Sequence, residues 1–283
     1  MSMTVKPIIK KEHLYKLAEQ GKRADGRQFN QYRNITIEPG VISKAEGSAR
    51  VKIGNTQVVA GIKMAIGDPY SDTPNSGVIT TAAELIPLAS PDFEAGPPDQ
   101  QTIELARVVD RGIRESEVID LGKLCIVPGE KIWMIFIDIH IIDYDGNLFD
   151  AASLAALAAL FNAKVPIAQP RLKPDFDKML ERFPDVKQYL DSNPEDFPLP
   201  LREPPISCTS VKFNNAIVVD PSIDEQEIAE ARITVATDID GNIRAMQKGL
   251  TGSFTVDEIK KIIKDSIING SELRTKLKES VGK

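Results

Sequence analysis

Cysteine, histidine and aromatic residues are all scarce in this sequence of 283 residues. Two cysteines, Cys125 and Cys208, are too few for a disulfide framework and do not stand at metal-ligand spacing. Cys125 lies in the apolar run Leu124-Cys125-Ile126-Val127, where a buried, unreactive thiol is expected. No nucleophile motif is present, and neither a Walker loop nor a GxGxxG turn joins a strand to a helix. Excess positive charge is missing too. The formal net charge of −6 excludes a whole-surface attraction to nucleic acid, so any such contact must come from a local cluster or a partner's field. Long apolar runs are absent: the Ile-rich stretch 132–142 and the Ala-rich stretch 151–161 are too short to cross a bilayer. The first residues, MSMTVKPIIKKEH, hold no apolar core of signal-peptide length, so the expectation is a cytoplasmic protein without membrane contact. What the chain does have is 42% hydrophobic and 27% charged residues, enough for a sizeable core and against global disorder.

Along the chain, His13 to Gln20 reads as a short helix ended by Gly21. Strand-like alternation follows at Ile35–Ile37, Ala49–Ile53 and Val58–Ile62, punctuated by Pro39-Gly40, Glu46-Gly47 and Gly54-Asn55. Residues 67–77 and 90–98 read as loops, the second leading into a helix over about 100–116. The period of two at Trp133, Ile135, Ile137, Ile139 and Ile141 predicts a long strand with one buried face. Asp150 is the expected N-cap of AASLAALAALFNA, which is apolar all round and predicts a buried central helix. Nine of the 19 prolines fall between Pro166 and Pro205, which marks a connection, with room for helical turns in FDKMLERFPDVKQYL. Strands are expected again at Ile206–Phe213, Ala216–Val219, Arg232–Thr237 and Ile243–Gln247, the last pair joined through Asp240-Gly241-Asn242. Thr255 with Glu258 forms a capping box for a final helix with apolar Ile259, Ile262, Ile263 and Ile267. The expected organisation is a helix and arm at 1–28, a first α+β half at 29–166, a connection at 167–205 and a second half at 206–283.

Three constellations carry possible chemistry. Arg107, Arg111 and Arg114 fall within roughly 60° of arc on the helix, with Leu105, Val108, Val109 and Ile113 pointing broadly the other way. One reading is a solvated face in which Asp110 pairs with Arg114. The other is a phosphate-binding stripe, because guanidiniums grip phosphate oxygens bidentately. Asp220, Asp224, Glu225, Glu227 and Glu230 form an acidic cluster that fits paired-carboxylate chemistry, although a solvated loop accounts for it more simply. Asp138 and His140 share the second face of the long strand, where a satisfied core pair or a position facing a subunit interface fits better than a catalytic dyad.

Several segments, in this order and spacing, resemble the RNase PH family of phosphorolytic ribonucleases. They are Arg23-Ala24-Asp25-Gly26-Arg27, Gly47-Ser48-Ala49, Gly54-Asn55-Thr56, ELARVVDRGIRES at 104–116 and DGNLFDAASLAALAAL at 145–160. Within that family the chain is most similar to the non-catalytic, RNase PH-like branch found in archaeal exosomes. The resemblance implies an α+β RNase PH-like fold of two sheet-and-helix halves (ribosomal protein S5 domain 2-like) that builds a six-membered ring. It implies as partners a catalytic RNase PH-like paralogue, arranged as a trimer of heterodimers, cap subunits with S1 or KH-type domains, and single-stranded RNA. It calls for no cofactor and no metal. It also turns the arginine helix into an expected RNA-binding site: Arg107 and Arg111 match the family's positions, with Arg114 as an addition.

Two departures from the family pattern bear on activity. Active members hold the attacking phosphate in a Gly-Gly-Thr/Ser-Arg loop before the Ala-rich helix; here that stretch is Gly146-Asn147-Leu148-Phe149. Leu148 and Phe149 have no donor for a dianion, and losing such a clamp costs on the order of 10³ in rate or more. Active members also carry two aspartates about six residues apart; Asp220 matches the first, and Gln226 stands at the second. The expectation is therefore no catalytic residue of its own, with an active enzyme built around Asp220, or a scaffold without RNA contact, as the alternatives.

Overall fold

The computed structural model describes the backbone of residues 5–282 and the side chains of residues 10–282. Helix α1 (Val5–Glu19) is longer than the expected His13–Gln20 segment and runs into an irregular strap over residues 20–34. The first half then comprises β1 (Ile35–Pro39), β2 (Gly47–Ile53), β3 (Thr56–Gly67), β4 (Val78–Leu85), α2 (Gln100–Glu115), β5 (Cys125–Val127) and β6 (Lys131–Asp143). These strands make one sheet in the order β1-β2-β3-β6-β4, with β5 also on β6. All pairs are antiparallel except β4 with β6.

The alternation in β6 does what its period requires. Trp133, Ile135, Ile137, Ile139 and Ile141 face inward and are at most 1% exposed. The register sets Ile139 opposite Ala60 and Ile137 opposite Ile62, so β3 continues the same apolar face. On that face lies α3 (Leu148–Phe161), in which every residue from Leu148 to Leu160 is buried. An all-round apolar helix has no solvated side, and α3 has none: it packs on β2 and β3 on one side and on the second half on the other.

The proline-rich segment is folded rather than extended. It carries β7 (Lys164–Val165), α4 (Lys173–Arg182), α5 (Asp185–Ser192) and β8 (Phe197–Pro198), and β7 pairs with β8. Leu172, Phe176, Met179, Val186 and Leu199 enter the same apolar cluster as β6 and α3. Tyr189 accepts the indole N–H of Trp133 at 2.9 Å, and Phe176 meets that indole edge-on.

The second half contains β9 (Ile206–Phe213), β10 (Ala216–Val219), α6 (Ile223–Glu227), β11 (Ala231–Thr237), β12 (Ile243–Gly249) and α7 (Val256–Ser280). Its sheet has the order β10-β9-β11-β12 and is antiparallel throughout. The Thr255/Glu258 capping box opens α7 as expected. Its buried contacts differ from the expectation: Ile262 is buried but Ile267 is exposed, and the deep anchors are Leu273 and Leu277 further along. Both halves are thus sheet-and-helix layers meeting at α3.

Candidate nucleic-acid interface and the closed loop beside it

Helix α2 is started by Asp99, whose carboxylate accepts from the Thr102 amide at 2.8 Å and the Thr102 hydroxyl at 2.6 Å. Those bonds hold the Asp99 carboxyl below its ordinary pKa. Leu105, Val109 and Ile113 are buried, which turns the opposite face of α2 toward the edge strand β12. Between α2 and β12 runs a groove of about 520 Å³, lined by Ile103, Glu104, Arg107, Arg111, Gln247 and Leu250 among others.

The three arginines of the helix have three different fates. Arg107 is exposed on the groove and makes no hydrogen bond or ion pair with the described residues. Arg111 is half-buried on the groove wall, and its Nη1 donates to Gln247 Oε1 at 2.6 Å, which fixes where its guanidinium points. Arg114 does not line the groove. Its Nε and Nη2 bond Asp110 at 2.9 Å, and Nη2 also donates to the carbonyl of Ile79 at 3.0 Å. The solvated-face reading therefore describes Arg114, while Arg107 and Arg111 stand together as available positive charge.

The loop before α3 is closed. Gly146 has φ +86°, and a Cβ there would sit 2.5 Å from the carbonyl oxygen of Pro221, so only glycine permits this approach of the two halves. Asn147 takes the left-handed conformation at φ 54° and occupies the N-cap position expected for Asp150. The start of the helix lies three residues earlier than the apolar pattern implied. The Asn147 amide N–H donates to Gln226 Oε1 at 3.1 Å, and its Nδ2 is shared between Asp150 and Asp220 at 2.8 Å each. Leu148 and Phe149 are 2% and 5% exposed and add no donor. Of the polar groups that the loop retains, the Asn147 backbone amide and Nδ2 are taken up within the chain, whereas Asn147 Oδ1 is buried without a partner among the described residues.

Asp220 corrects the reading of the acidic cluster as a solvated loop. It is fully buried, and its carboxylate takes Arg27 Nη1 at 2.8 Å and Arg33 through its amide, Nε and Nη2 at 2.8–2.9 Å. Burial by itself would raise its pKa. The hydrogen bonds and charge of Arg33, joined by Asn147, outweigh that and hold the carboxyl below its ordinary value. Glu225 is likewise buried, bonded by Arg23 Nε at 2.8 Å, and it completes the capping box of α6 with Ser222. Arg23 also donates to the carbonyls of Val219 and Asp220 at 2.9 Å. The strap is thereby fastened to the second half through a buried knot of charge. Of the cluster, Glu227 and Glu230 are exposed and Asp224 is half-exposed.

Asp150, also fully buried, has the opposite electrostatics. It accepts from the Tyr32 hydroxyl at 2.7 Å, from Asn147, and from the Thr209 amide and hydroxyl at 3.0 and 2.7 Å. No cation among the described residues touches it, and burial pushes its carboxyl up to about 6. Thr209 Oγ1 lies 2.8 Å from Thr234 Oγ1, so a proton on Asp150 has an acceptor in Thr209, whose own hydroxyl then turns to Thr234.

Two smaller expectations also change. Asp138 and His140 are half-exposed on the outer face of β6, and His140 Nδ1 lies 3.3 Å from Glu84 rather than pairing with Asp138. Cys125 is only partly buried, whereas Cys208 is fully so; burial raises both thiols, Cys208 most. Among the described residues no group of three or more His, Cys, Asp or Glu side chains is placed to hold a metal. The knot was not anticipated. The Arg23–Arg27 motif was the available signal, but nothing local in it names Asp220 or Glu225 as the partners.

Comparison with known proteins fits this geometry. Residues 31–166 match domain 1 of the RNase PH, 3′ exoribonuclease, family, and residues 203–266 match domain 2. The exosome complex component Rrp42 of Methanocella arvoryzae is 50% identical over 277 residues, 98% of each chain. That of Thermococcus kodakarensis is 46% identical over 281 residues, 99% of this chain and 98% of its own. A solved Archaeoglobus fulgidus exosome with RNA bound to the active site contains a chain 47% identical to this one, with TM-score 0.85, covering 96% of this chain and 99% of that one. Rice Rrp46 shares the fold at 16% identity, with TM-score 0.65, covering 92% of this chain and all of its own. With both family domains in order and near-full-length relatives at this identity, the chain belongs to the RNase PH family of 3′ exoribonucleases.

Proposed function

We propose that this chain is a non-catalytic subunit of an archaeal-type exosome ring, a 3′–5′ phosphorolytic RNA-degrading assembly, in which it supplies structure and RNA contact. The observation that carries the reading is the closed loop at Gly146–Phe149. Where phosphorolysis needs donors aimed at orthophosphate, this loop turns Leu148 and Phe149 inward, and Gln226 and Asp220 take up Asn147. A variant site built on Asp220 has little support, because a buried carboxylate fixed by two guanidiniums has no proton to give at neutral pH.

In this reading the groove of Arg107 and Arg111 meets the phosphates of single-stranded RNA, at the border with a catalytic RNase PH-like paralogue in a trimer of heterodimers. Cap subunits with S1 or KH-type domains complete the assembly, and the cytoplasm is its place. No described helix is long and apolar enough to cross a membrane. The relatives named exosome complex component Rrp42 support the assembly, and the RNA-bound Archaeoglobus fulgidus exosome supports the RNA contact.

The test is incubation of the purified chain with inorganic phosphate and poly(A), alone and after assembly with the paralogue. Nucleoside diphosphates are expected only from the assembly; their release by this chain alone would overturn the reading. Unchanged RNA affinity after replacing Arg107 and Arg111 by alanine in the assembly would leave a scaffold without RNA contact.

A further inference from the structure

One carboxylate stands in the groove that binds phosphate under the proposed function. Glu104 is one turn before Arg107 on α2, lines the same groove, and is about a third exposed. An unpaired anion there opposes the two arginines and repels the RNA backbone. It is not unpaired. Arg232, on β11 beneath the groove, reaches Glu104 with its Nη2.

The guanidinium of Arg232 is closely packed by two neighbours. Its Cζ lies 4.1 Å from the centroid of the Phe149 ring, a cation–π contact in a largely dry site, since Arg232 is 8% exposed. Also close to it is Gly249, the residue paired with Arg232 across β11 and β12. A Cβ on Gly249 would fall 2.5 Å from Nη2 and 2.9 Å from Cζ, so a side chain at that position displaces the guanidinium from where it now lies. Gly249 needs no unusual backbone angle; its role is space.

We propose that Arg232 is a positioning residue of the RNA groove: held against the Phe149 ring and close to Gly249, it neutralises Glu104 and so leaves the charge of Arg107 and Arg111 unopposed. This deepens the RNA-contact reading and rests on it. It gives Phe149 a function of its own. Phe149 holds the sequence position that the family resemblance assigns to a phosphate-binding arginine, and here its ring is the platform for an arginine that serves the groove instead.

The measurement is affinity for a labelled single-stranded oligo(A), as a function of salt, by the ring assembled from this chain and its catalytic paralogue. Arg232→Met is expected to weaken binding about tenfold at low salt, with a smaller loss at high salt as the exposed Glu104 charge is screened. Adding Glu104→Gln to that variant removes the opposing charge and is expected to restore affinity to within about threefold of the parent. A purely structural role for Arg232 predicts no such rescue. Phe149→Leu keeps the apolar volume but removes the π face, and is expected to weaken binding about three- to tenfold, with Phe149→Tyr returning it. If Arg232→Met does not fold, Gly249→Ala displaces the same guanidinium without altering any charge, and it too is expected to be rescued by Glu104→Gln. Unchanged affinity in the Arg232 or Gly249 variant, or no recovery with Glu104→Gln in a natively folded protein, overturns the inference. Paired alanines at Arg107 and Arg111 separate the two layers. If they abolish binding while the Arg232 variant does not alter it, only the masking role fails; if they have no effect, the RNA-contact reading falls and this inference with it.

Discussion

The molecule holds two groups of arginines, and their fates are opposite. Arg23, Arg27 and Arg33, on the strap, are 0–10% exposed at the side chain and end on Asp220 and Glu225. Arg107 and Arg111, on α2, line an open groove, and neither meets a carboxylate within ion-pair distance. The difference is one of partners and water rather than of residue type. In the first group, desolvation makes an unpaired charge intolerable, so each guanidinium is matched by a carboxylate or a carbonyl. In the second, solvent screens the charge and leaves it available to a ligand. Arginine count alone therefore says nothing about binding; the matched anion decides.

The largest expected effect tests the buried group. Asp220→Ala leaves Arg27 and Arg33 without their shared anion, and breaking a buried pair of this kind costs about 3–5 kcal/mol. Chemical denaturation measures it, and a loss under about 1 kcal/mol would mean that the knot is not what fastens the strap.

Next in size is a pH effect at Asp150. Its folded pKa of about 6 lies above the ordinary 3.8, so the fold favours the protonated form. The stability linked to this group is fully present below about pH 4 and is lost as the pH rises through 6, on the order of 3 kcal/mol in all. Asp220 acts in the other direction: its lowered pKa gives stability that is present above the ordinary carboxylate value and lost as the pH falls through the folded one. Subtracting the pH–stability curve of Asp150→Asn from that of the parent isolates the first contribution. A flat difference between pH 4 and 7.5 would show that Asp150 does not titrate there.

The open group is tested by binding. Replacing Arg107 and Arg111 by alanine in the assembled ring should flatten the salt dependence of RNA affinity by about 0.7 per lost phosphate contact. Arg114→Ala should leave RNA binding unaltered while removing a partly exposed i,i+4 pair worth about 0.3–0.5 kcal/mol together with the bond to the Ile79 carbonyl. Equal RNA losses at Arg107 and Arg114 would erase the contrast drawn between them.

What the sequence revealed follows the range of the interactions involved. The inward face of β6, the fully apolar α3 and the Thr255/Glu258 cap depend on neighbours a few residues away, and periodicity finds them. Strand β4 escaped because Val78–Leu85 mixes Thr, Ala and Glu without alternation and owes its place to parallel pairing with β6. Asp150 was assigned the cap because Gly146 and the left-handed Asn147 begin the helix earlier than the apolar pattern does. The arginines of the groove were legible from helical spacing and family resemblance together. Arg232 and the knot were not, because their partners lie more than a hundred residues away in the chain.

Asn147 carries one more consequence. A single carboxamide touches two carboxyls, one kept anionic by guanidiniums and one pushed by burial toward neutrality. Its two hydrogens are both committed, so it cannot rotate without abandoning one of them. The amide thus works as a rivet between compartments of different polarity.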